Sequence, residues 1–398
     1  MLEDTAHRLD FLSLDPISKL EEEHEKQRTT TTGDNCSLDD NNDDNSPGEI
    51  RLTDDQIDEF HSTGYLYLPE LFTTEELRVL NDELPGLFSR SEPYNISELS
   101  NSTIPRTNFA SHLVSKPFAK LSRHPRIIRL VETLLNDKLY VHQFKINKKT
   151  AFEGEVWQWH QDYSTWLNED TMPTNRAMNV AIFLDDVNHY NGPLMFIPGS
   201  HKAGVISADY DTKTTSYPLW KVDNDVVSQL VDRAGGKQGG IVSPIGPAGS
   251  VVLFHSCLVH SSSTNISPWD RNIVYLSLCA TSNHIRRFKR PEYIAHRSFD
   301  PIICLLDDCL LDSTIDEQIS VPWEGKLSDS ALIVKNDIIS DEDMQKVKEY
   351  PVTDEKELPI SSAEEAVVVA VVEENPPNQL SIDDQYIVVD ETMNTSSL

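Results

Sequence analysis

The spacing of apolar and polar positions divides this chain into distinct stretches. Order is expected to begin at Thr53, where Thr-Asp-Asp-Gln forms a capping box ahead of Ile57 and Phe60. Gly64 should stop that helix before the run Tyr-Leu-Tyr-Leu, and a second box from Thr73 to Glu76 opens another helix. From Tyr140 onward the pattern changes to short β-rich runs broken by Gly, Pro and Asn: YVHQFKIN, EVWQWHQDY, AMNVAIFLDDV, GPLMFIPGS, SVVLFHSCLVH and NIVYLSLCA. Many short strands with turn signals predict a sandwich or barrel, here a jelly roll preceded by helices. No internal repeat is visible.

The flanks read differently. Residues 20–50 are polar and acidic and cannot bury enough apolar surface to offset the entropy of ordering, so they are expected to be disordered. After about residue 305 the sequence turns acidic again, with one apolar tract, AVVVAVV at 366–372, that adds a strand or stays a tail segment. The expected organisation is an acidic N-terminal tail over 1–50, a folded domain over 51–305 and an acidic, largely disordered extension over 306–398.

Charge sharpens those boundaries. The formal net charge of -31 arises mostly in the flanks: 14 acidic against 4 basic side chains in residues 1–50, and 23 against 5 in 306–398. Residues 51–305 hold 28 against 25 and are nearly neutral. Spread evenly, such acidity would argue against nucleic acid and anionic membranes; neither is expected as a partner, and its concentration in the flanks leaves the tails as possible arms for protein partners. The five cysteines form no CxxC pair and no regular framework, which points to a reducing, cytoplasmic setting and away from a thiolate zinc site. The N-terminus carries acids where a signal peptide needs basic residues, and no run of 18 apolar residues occurs. The terminal Ser396-Ser397-Leu398 lacks the basic residue of a peroxisomal address.

Candidate chemistry lies in the β-rich middle. His160 and Asp162, two apart in a strand-like run, are expected to share a face and reach one ion. His260 ends an apolar run in which Val252, Phe254, Ser256 and Leu258 share its face. Two histidines and one carboxylate on one side of a metal leave the opposite positions open, which suits non-haem iron(II); zinc tolerates the same donors. Arg271, eleven residues beyond His260, could grip a carboxylate with its planar fork, with Tyr275 on the same face. Elsewhere the blander reading is preferred. His201 packs a turn, His142 and His255 fall on faces opposite the site, and the run Arg286, Arg287, Lys289 and Arg290 is a solvated face.

Taken together, WQWHQD at 157–162, NGPLMFIPGSH at 191–201, GPAGSVVLFHSCLVHSSSTN at 246–265 and Arg271 resemble the phytanoyl-CoA dioxygenase superfamily. VHQFKIN, GEVWQWHQDY, WLNEDTMP and NVAIFLDDV are most similar to the free L-proline trans-4-hydroxylases and the ectoine hydroxylases. The resemblance covers about residues 53–300. It implies a mainly β, double-stranded β-helix (jelly-roll) oxygenase core in which His160, Asp162 and His260 bind iron(II). It further implies that Arg271 and Ser262 bind the distal carboxylate of 2-oxoglutarate, with Asn147 near its other end and Trp157 close by. Gln143, Trp166 and Tyr275 match substrate-pocket positions, whereas Lys145 stands where the ectoine enzymes carry arginine. Gln143, Lys145 and Asn147 alternate on one strand, in agreement with a shared inward face.

The function so implied is hydroxylation of a small molecule with 2-oxoglutarate and O2 as cosubstrates and ascorbate as an aid. The expected substrate is a free cyclic amino acid such as L-proline, or an ectoine-like compound. The alternatives are an oxygenase for a larger natural-product intermediate or an acyl-CoA, and a catalytically idle binding scaffold.

Overall fold

Both capping boxes form as the sequence predicts. In α1 (Asp54–Thr63) the Thr53 hydroxyl accepts from Gln56 N and the Gln56 side chain accepts from Thr53 N, and Gly64, at φ 86°, ends the helix. α2 (Thr74–Asn81) repeats the device with Thr73 and Glu76. These features belong to a computed structural model that describes residues 50–90 and 93–322. The expectations for the acidic N-terminal tail, for most of the C-terminal extension and for AVVVAVV lie outside the described residues.

Between α1 and α2 runs β1 (Tyr65–Leu68); then come α3 (Leu84–Phe88), β2 (Asn95–Ser97), β3 (Pro105–Phe109), α4 (Lys116–Leu121) and α5 (Pro125–Leu135). The β-rich part supplies β4 (Leu139–Lys149), β5 (Trp157–His160), α6 (Asp162–Asp170), β6 (Ala177–Phe183) and β7 (Leu194–Phe196). It continues through β8 (Ala208–Asp211), β9 (Leu219–Val222), α7 (Asn224–Arg233), β10 (Val251–His255), β11 (His260–Ser262) and β12 (Arg271–Ala280). One sheet has the order β1-β10-β6-β12-β4-β3-β2 and the other β7-β11-β5-β9-β8. The result is a mostly β core with flanking helices.

Strands β6 and β12 are buried at every position, because both faces of the larger sheet are covered. Val180, Ile182, Val274 and Leu276 pack with Ile127, Ile128 and Leu130 of α5 on the outer face. Ala181, Phe183, Ile273 and Tyr275 meet Leu194 and Phe196 of the smaller sheet on the inner face. That inner layer, at about 25 cal/mol per Å² of apolar area removed from water, holds the two sheets together and sets the distance between their side chains.

Two expectations need correction. Asp162 does not continue the strand of His160: β5 ends at His160, and Asp162 is the first residue of α6. Likewise β10 ends at His255, and His260 restarts as β11 in the other sheet, so it does not share a strand face with Val252 and Phe254. The packed chain also runs past residue 305. Cys309 and Leu310 are buried in the outer core, Lys120 Nζ donates to Asp312 O at 2.9 Å, and Arg126 holds Asp307 through bonds of 2.7 and 2.6 Å. Acids in this stretch are partly consumed by bases on α4 and α5, so charge composition placed the edge too early.

Candidate metal centre and its pockets

His160, Asp162 and His260 converge. His160 and His260 face each other across the β5–β11 ladder with ring centroids 4.2 Å apart. Asp162 Oδ1 lies 3.5 Å from His160 Nε2, and Oδ2 lies 3.6 Å from His260 Nε2. Their ligand atoms fall within 4.8 Å of one another, and among the described residues this is the one group of three or more such donors.

Backbone carbonyls fix the imidazole tautomers. His160 Nδ1 contacts Gln158 O at 2.6 Å and His260 Nδ1 contacts Leu258 O at 3.0 Å. A carbonyl only accepts, so each Nδ1 carries the proton and each Nε2 presents its lone pair to the centre. Burial, then His160, pushes the His260 pKa down to about 3, which keeps it neutral. Burial alone would raise the Asp162 carboxyl, but Lys145 first, then His260 and His160, hold it well below the usual carboxylate range. A neutral imidazole pair and an anionic carboxylate are the donor states a divalent cation needs.

The β5–α6 junction is rigid for a local reason. Gln161, fully buried, donates to Cys257 O at 2.6 Å and Gly204 O at 2.8 Å and accepts from Ile206 N at 2.9 Å. Asp162 then projects from the first turn of α6, where a carboxylate is favoured by the helix dipole. Asn179 Nδ2 donates to Asp162 Oδ2 at 2.6 Å, and Ser277 Oγ donates to Asn179 Oδ1 at 2.6 Å. The sequence reading missed Asn179; its signal was a lone amide inside the apolar run AMNVAIF.

Arg271 starts β12 and is 1% exposed, yet its Nε and Nη1 find no hydrogen-bond partner, nor does the buried Ser262 Oγ. Burying a guanidinium with unmet donors is costly, and a carboxylate is the group that would satisfy its fork. Arg106 and Lys149 are buried nearby, and Arg271 acts on the charge of both. Burial first, then Arg271 and Arg106, drives Lys149 well below the ordinary lysine range. Lys149 Nζ donates to the carbonyls of Ser263 and Glu155. Glu98 is buried with these three cations and Glu155 Oε2 lies 3.6 Å from Arg106 Nη1, so two carboxylates face three basic side chains and both are turned to Arg106 and Lys149. Lys149 and Arg106 went unremarked in the sequence because isolated bases read as surface.

Of the residues matched to the substrate side, Tyr275 lies within electrostatic reach of Asp162, whereas Trp166 packs with Tyr140, Tyr163 and Met172 in a core cluster of its own. Gln143 is buried with Nε2 unpartnered, and Lys145 acts on Asp162 while its Nζ lies 5.6 Å from the Tyr275 ring centroid. Burial pushes the Tyr275 phenol up and Arg271 partly opposes it, so this side chain borders both regions. Asn147 is buried and its Oδ1 accepts from Thr107 Oγ1 at 2.8 Å. Trp157 stands opposite Ser262 in the ladder, with its ring centroid 6.5 Å from that of His160.

The other histidines and Arg290 occupy different surroundings. His201 contacts His61 O at 3.2 Å and the His255 ring at 5.2 Å, so both pack a turn away from the triad. A bulge in β4, where the partner of Leu278 shifts to Val141, frees His142 from the ladder. Its Nε2 meets Asp170 Oδ2 at 3.0 Å and its ring meets Trp166, 1% exposed, at 5.2 Å. Arg290 is not solvated, unlike Arg286, Arg287 and Lys289. Its guanidinium clasps Asp170 through Nε and Nη2, and Nη1 donates to the Tyr217 hydroxyl at 2.9 Å. The ion pair with a fully buried acid 120 residues away explains why the local charge run misled.

A His-Asp-His donor set and a buried, half-unpartnered arginine fork on a mostly β core fit an iron(II)- and 2-oxoglutarate-dependent dioxygenase, and the similarities of the chain agree. Residues 60–273 match the Phytanoyl-CoA dioxygenase (PhyH) family, and the chain belongs to it. An ectoine dioxygenase of Bordetella bronchiseptica is 34% identical over 276 residues, 65% of this chain and 87% of that protein. An L-proline trans-4-hydroxylase of Streptomyces griseoviridis is 34% identical over 246 residues, 60% of this chain and 91% of that protein. Among solved structures, EctD from S. alaskensis with 2-oxoglutarate and 5-hydroxyectoine is similar with a TM-score of 0.56 and 30% identity, covering 64% of this chain and 87% of that one. The same protein with bound Fe gives a TM-score of 0.55 at 29% identity, with the same coverage.

Proposed function

We propose that the chain hydroxylates a small free amino acid or a cyclic, ectoine-like zwitterion, and that its two sheets form a double-stranded β-helix. In this reading His160, Asp162 and His260 hold iron(II), and Arg271 with Ser262 grips the distal carboxylate of 2-oxoglutarate. Asn147 and Trp157 border the cosubstrate. When bound, the metal and cosubstrate supply oxygen activation, with 2-oxoglutarate converted to succinate and CO2. The observation that carries the reading is the buried, half-unpartnered Arg271 fork, together with a Ser262 hydroxyl that is likewise buried and unpartnered.

The remaining work of the protein is placement. Lys145, whose ammonium burial pulls below the ordinary lysine value and Asp162 partly restores, suits a substrate carboxylate. Gln143 offers an unpartnered amide donor two positions along β4, the Tyr275 ring centroid lies 5.6 Å from the Lys145 ammonium, and in this reading Trp166 closes the space. These groups would orient one C–H bond toward the open side of the centre and exclude bulk water. A compact, zwitterionic substrate also agrees with the two curated relatives, which are named for ectoine and L-proline.

The test is succinate release from 2-oxoglutarate with iron(II) and ascorbate across free L-proline, other cyclic amino acids and ectoine. At least one member should stimulate succinate formation and gain a hydroxyl. Stimulation only by acyl-CoA thioesters or larger intermediates would overturn the small-zwitterion reading.

A further inference from the structure

We propose that Arg106 is a positioning residue for the cosubstrate pocket, one that fixes the Trp157 indole beneath its guanidinium face while its terminal nitrogens are held by Glu98 and Val156 O. The inference rests on the reading of the pocket given above and concerns how its wall is held.

Both terminal nitrogens of Arg106 are already engaged, and its buried Nε is the one donor of the group left without a partner. Nη1 pairs with Glu98, each side chain being 1% exposed, and lies 3.6 Å from Glu155 Oε2. Nη2 donates to Val156 O at 2.8 Å. Its flat face is used as well: Cζ stands 4.0 Å from the Trp157 ring centroid, within cation–π range. The same acids stitch the hairpin to this segment from the other direction. Glu98 Oε1 accepts from Glu155 N at 3.1 Å, while the Glu155 carboxylate accepts from Leu99 N at 3.1 Å and Ser100 N at 2.7 Å. Strands β2 and β3 and their turn are thereby tied to residues 155–157, three positions before His160.

A buried ion pair gives little net stability over a well-packed apolar pair, and geometric specification is the better account of one placed here. What it specifies is the indole. Trp157 faces Ser262 across the ladder, its ring lies 6.5 Å from the His160 ring and 6.4 Å from the Tyr217 ring, and Ser261 Oγ donates to Trp157 O at 2.6 Å. The backbone is thus held from one side by Ser261 and the ring from another by Arg106. A displaced indole would reshape the wall between the metal donors and Ser262 without touching a metal ligand. Lysine at position 106 would keep the charge opposite Glu98 but lose the planar face and the bond to Val156 O.

Two readouts on the full-length protein test this. The first is 2-oxoglutarate binding to manganese(II)-loaded protein by calorimetry; the second is the fluorescence of Trp157, taken as the difference from Trp157→Phe in metal-free protein. Arg106→Lys should weaken 2-oxoglutarate roughly 2- to 30-fold, the range one cation–π contact spans, and leave manganese affinity unchanged. It should also shift the Trp157 emission to the red. In the Arg106→Lys/Trp157→Phe double variant the loss should be no larger than that of the more affected single variant. A folded Arg106→Lys with wild-type 2-oxoglutarate affinity, or additive losses in the double variant, overturns the proposal. Should Arg106→Lys not fold, Trp157→Leu, which leaves the Glu98 pair intact, takes its place, and wild-type binding there overturns it equally. Wild-type protein that binds no 2-oxoglutarate would instead sink the underlying pocket assignment.

Discussion

Asn179 donates from Nδ2 to Asp162 Oδ2 across 2.6 Å, and Ser277 holds the amide in that orientation through its Oδ1. A carboxylate that must offer one oxygen to a metal is therefore fixed by its other oxygen. Asn179→Ala should weaken iron(II) binding about 10- to 100-fold, the range for losing a partner of a metal ligand, and leave the fold intact. His160→Ala or Asp162→Ala should abolish turnover outright. Metal titration by competition with a chelator separates the graded effect from the complete one. Wild-type metal affinity in Asn179→Ala would remove it from the centre.

Acid should destabilise the metal-free protein before its carboxylates titrate. Burial, then Arg126, lowers His124 to about 4, and burial, then His142, lowers His296 to about 3. Folded values below the unfolded value of about 6.5 mean that stability is full above pH 6.5 and falls as pH drops toward those lower values. Between pH 7 and 5 each such histidine should cost about 1–2 kcal/mol, read as a falling Tm. His124 caps α5 by accepting from Arg126 N at 3.3 Å, so His124→Asn should keep the cap and flatten part of the profile. A Tm that is constant from pH 7 to 5 would contradict this.

Truncation after residue 322 should leave the core complete, whereas truncation after 305 removes the buried Cys309 and Leu310 and the Arg126 and Lys120 contacts. The shorter chain should be less stable by about 2–5 kcal/mol, chiefly from the leucine cavity. Equal denaturation midpoints for the two chains would restore the earlier boundary.

Local signals were legible and distant ones were not. The capping boxes at Thr53 and Thr73 involve residues three apart, so their sequence carries their structure. The triad was also found, but through an incomplete picture: His160 and His260 lie on paired strands of one sheet while Asp162 starts a helix, and no single-strand alternation contains all three. Asn179 and Arg290 take their meaning from Asp162 and Asp170, partners that only tertiary packing brings near. The β4 bulge that redirects His142 is set by pairing with β12, which strand periodicity alone cannot reveal.

The central claim, that a dicarboxylate cosubstrate is read by the Arg271 fork, is tested most directly by the Michaelis constant for 2-oxoglutarate in Arg271→Lys. Lysine keeps the charge and loses the planar bidentate grip, and a charge-assisted bond contributes about 1.5–3 kcal/mol. The constant should therefore rise roughly 10- to 150-fold while that of the hydroxylated substrate moves far less. A rise in the substrate constant with 2-oxoglutarate unaffected would place Arg271 in the substrate pocket and contradict the account.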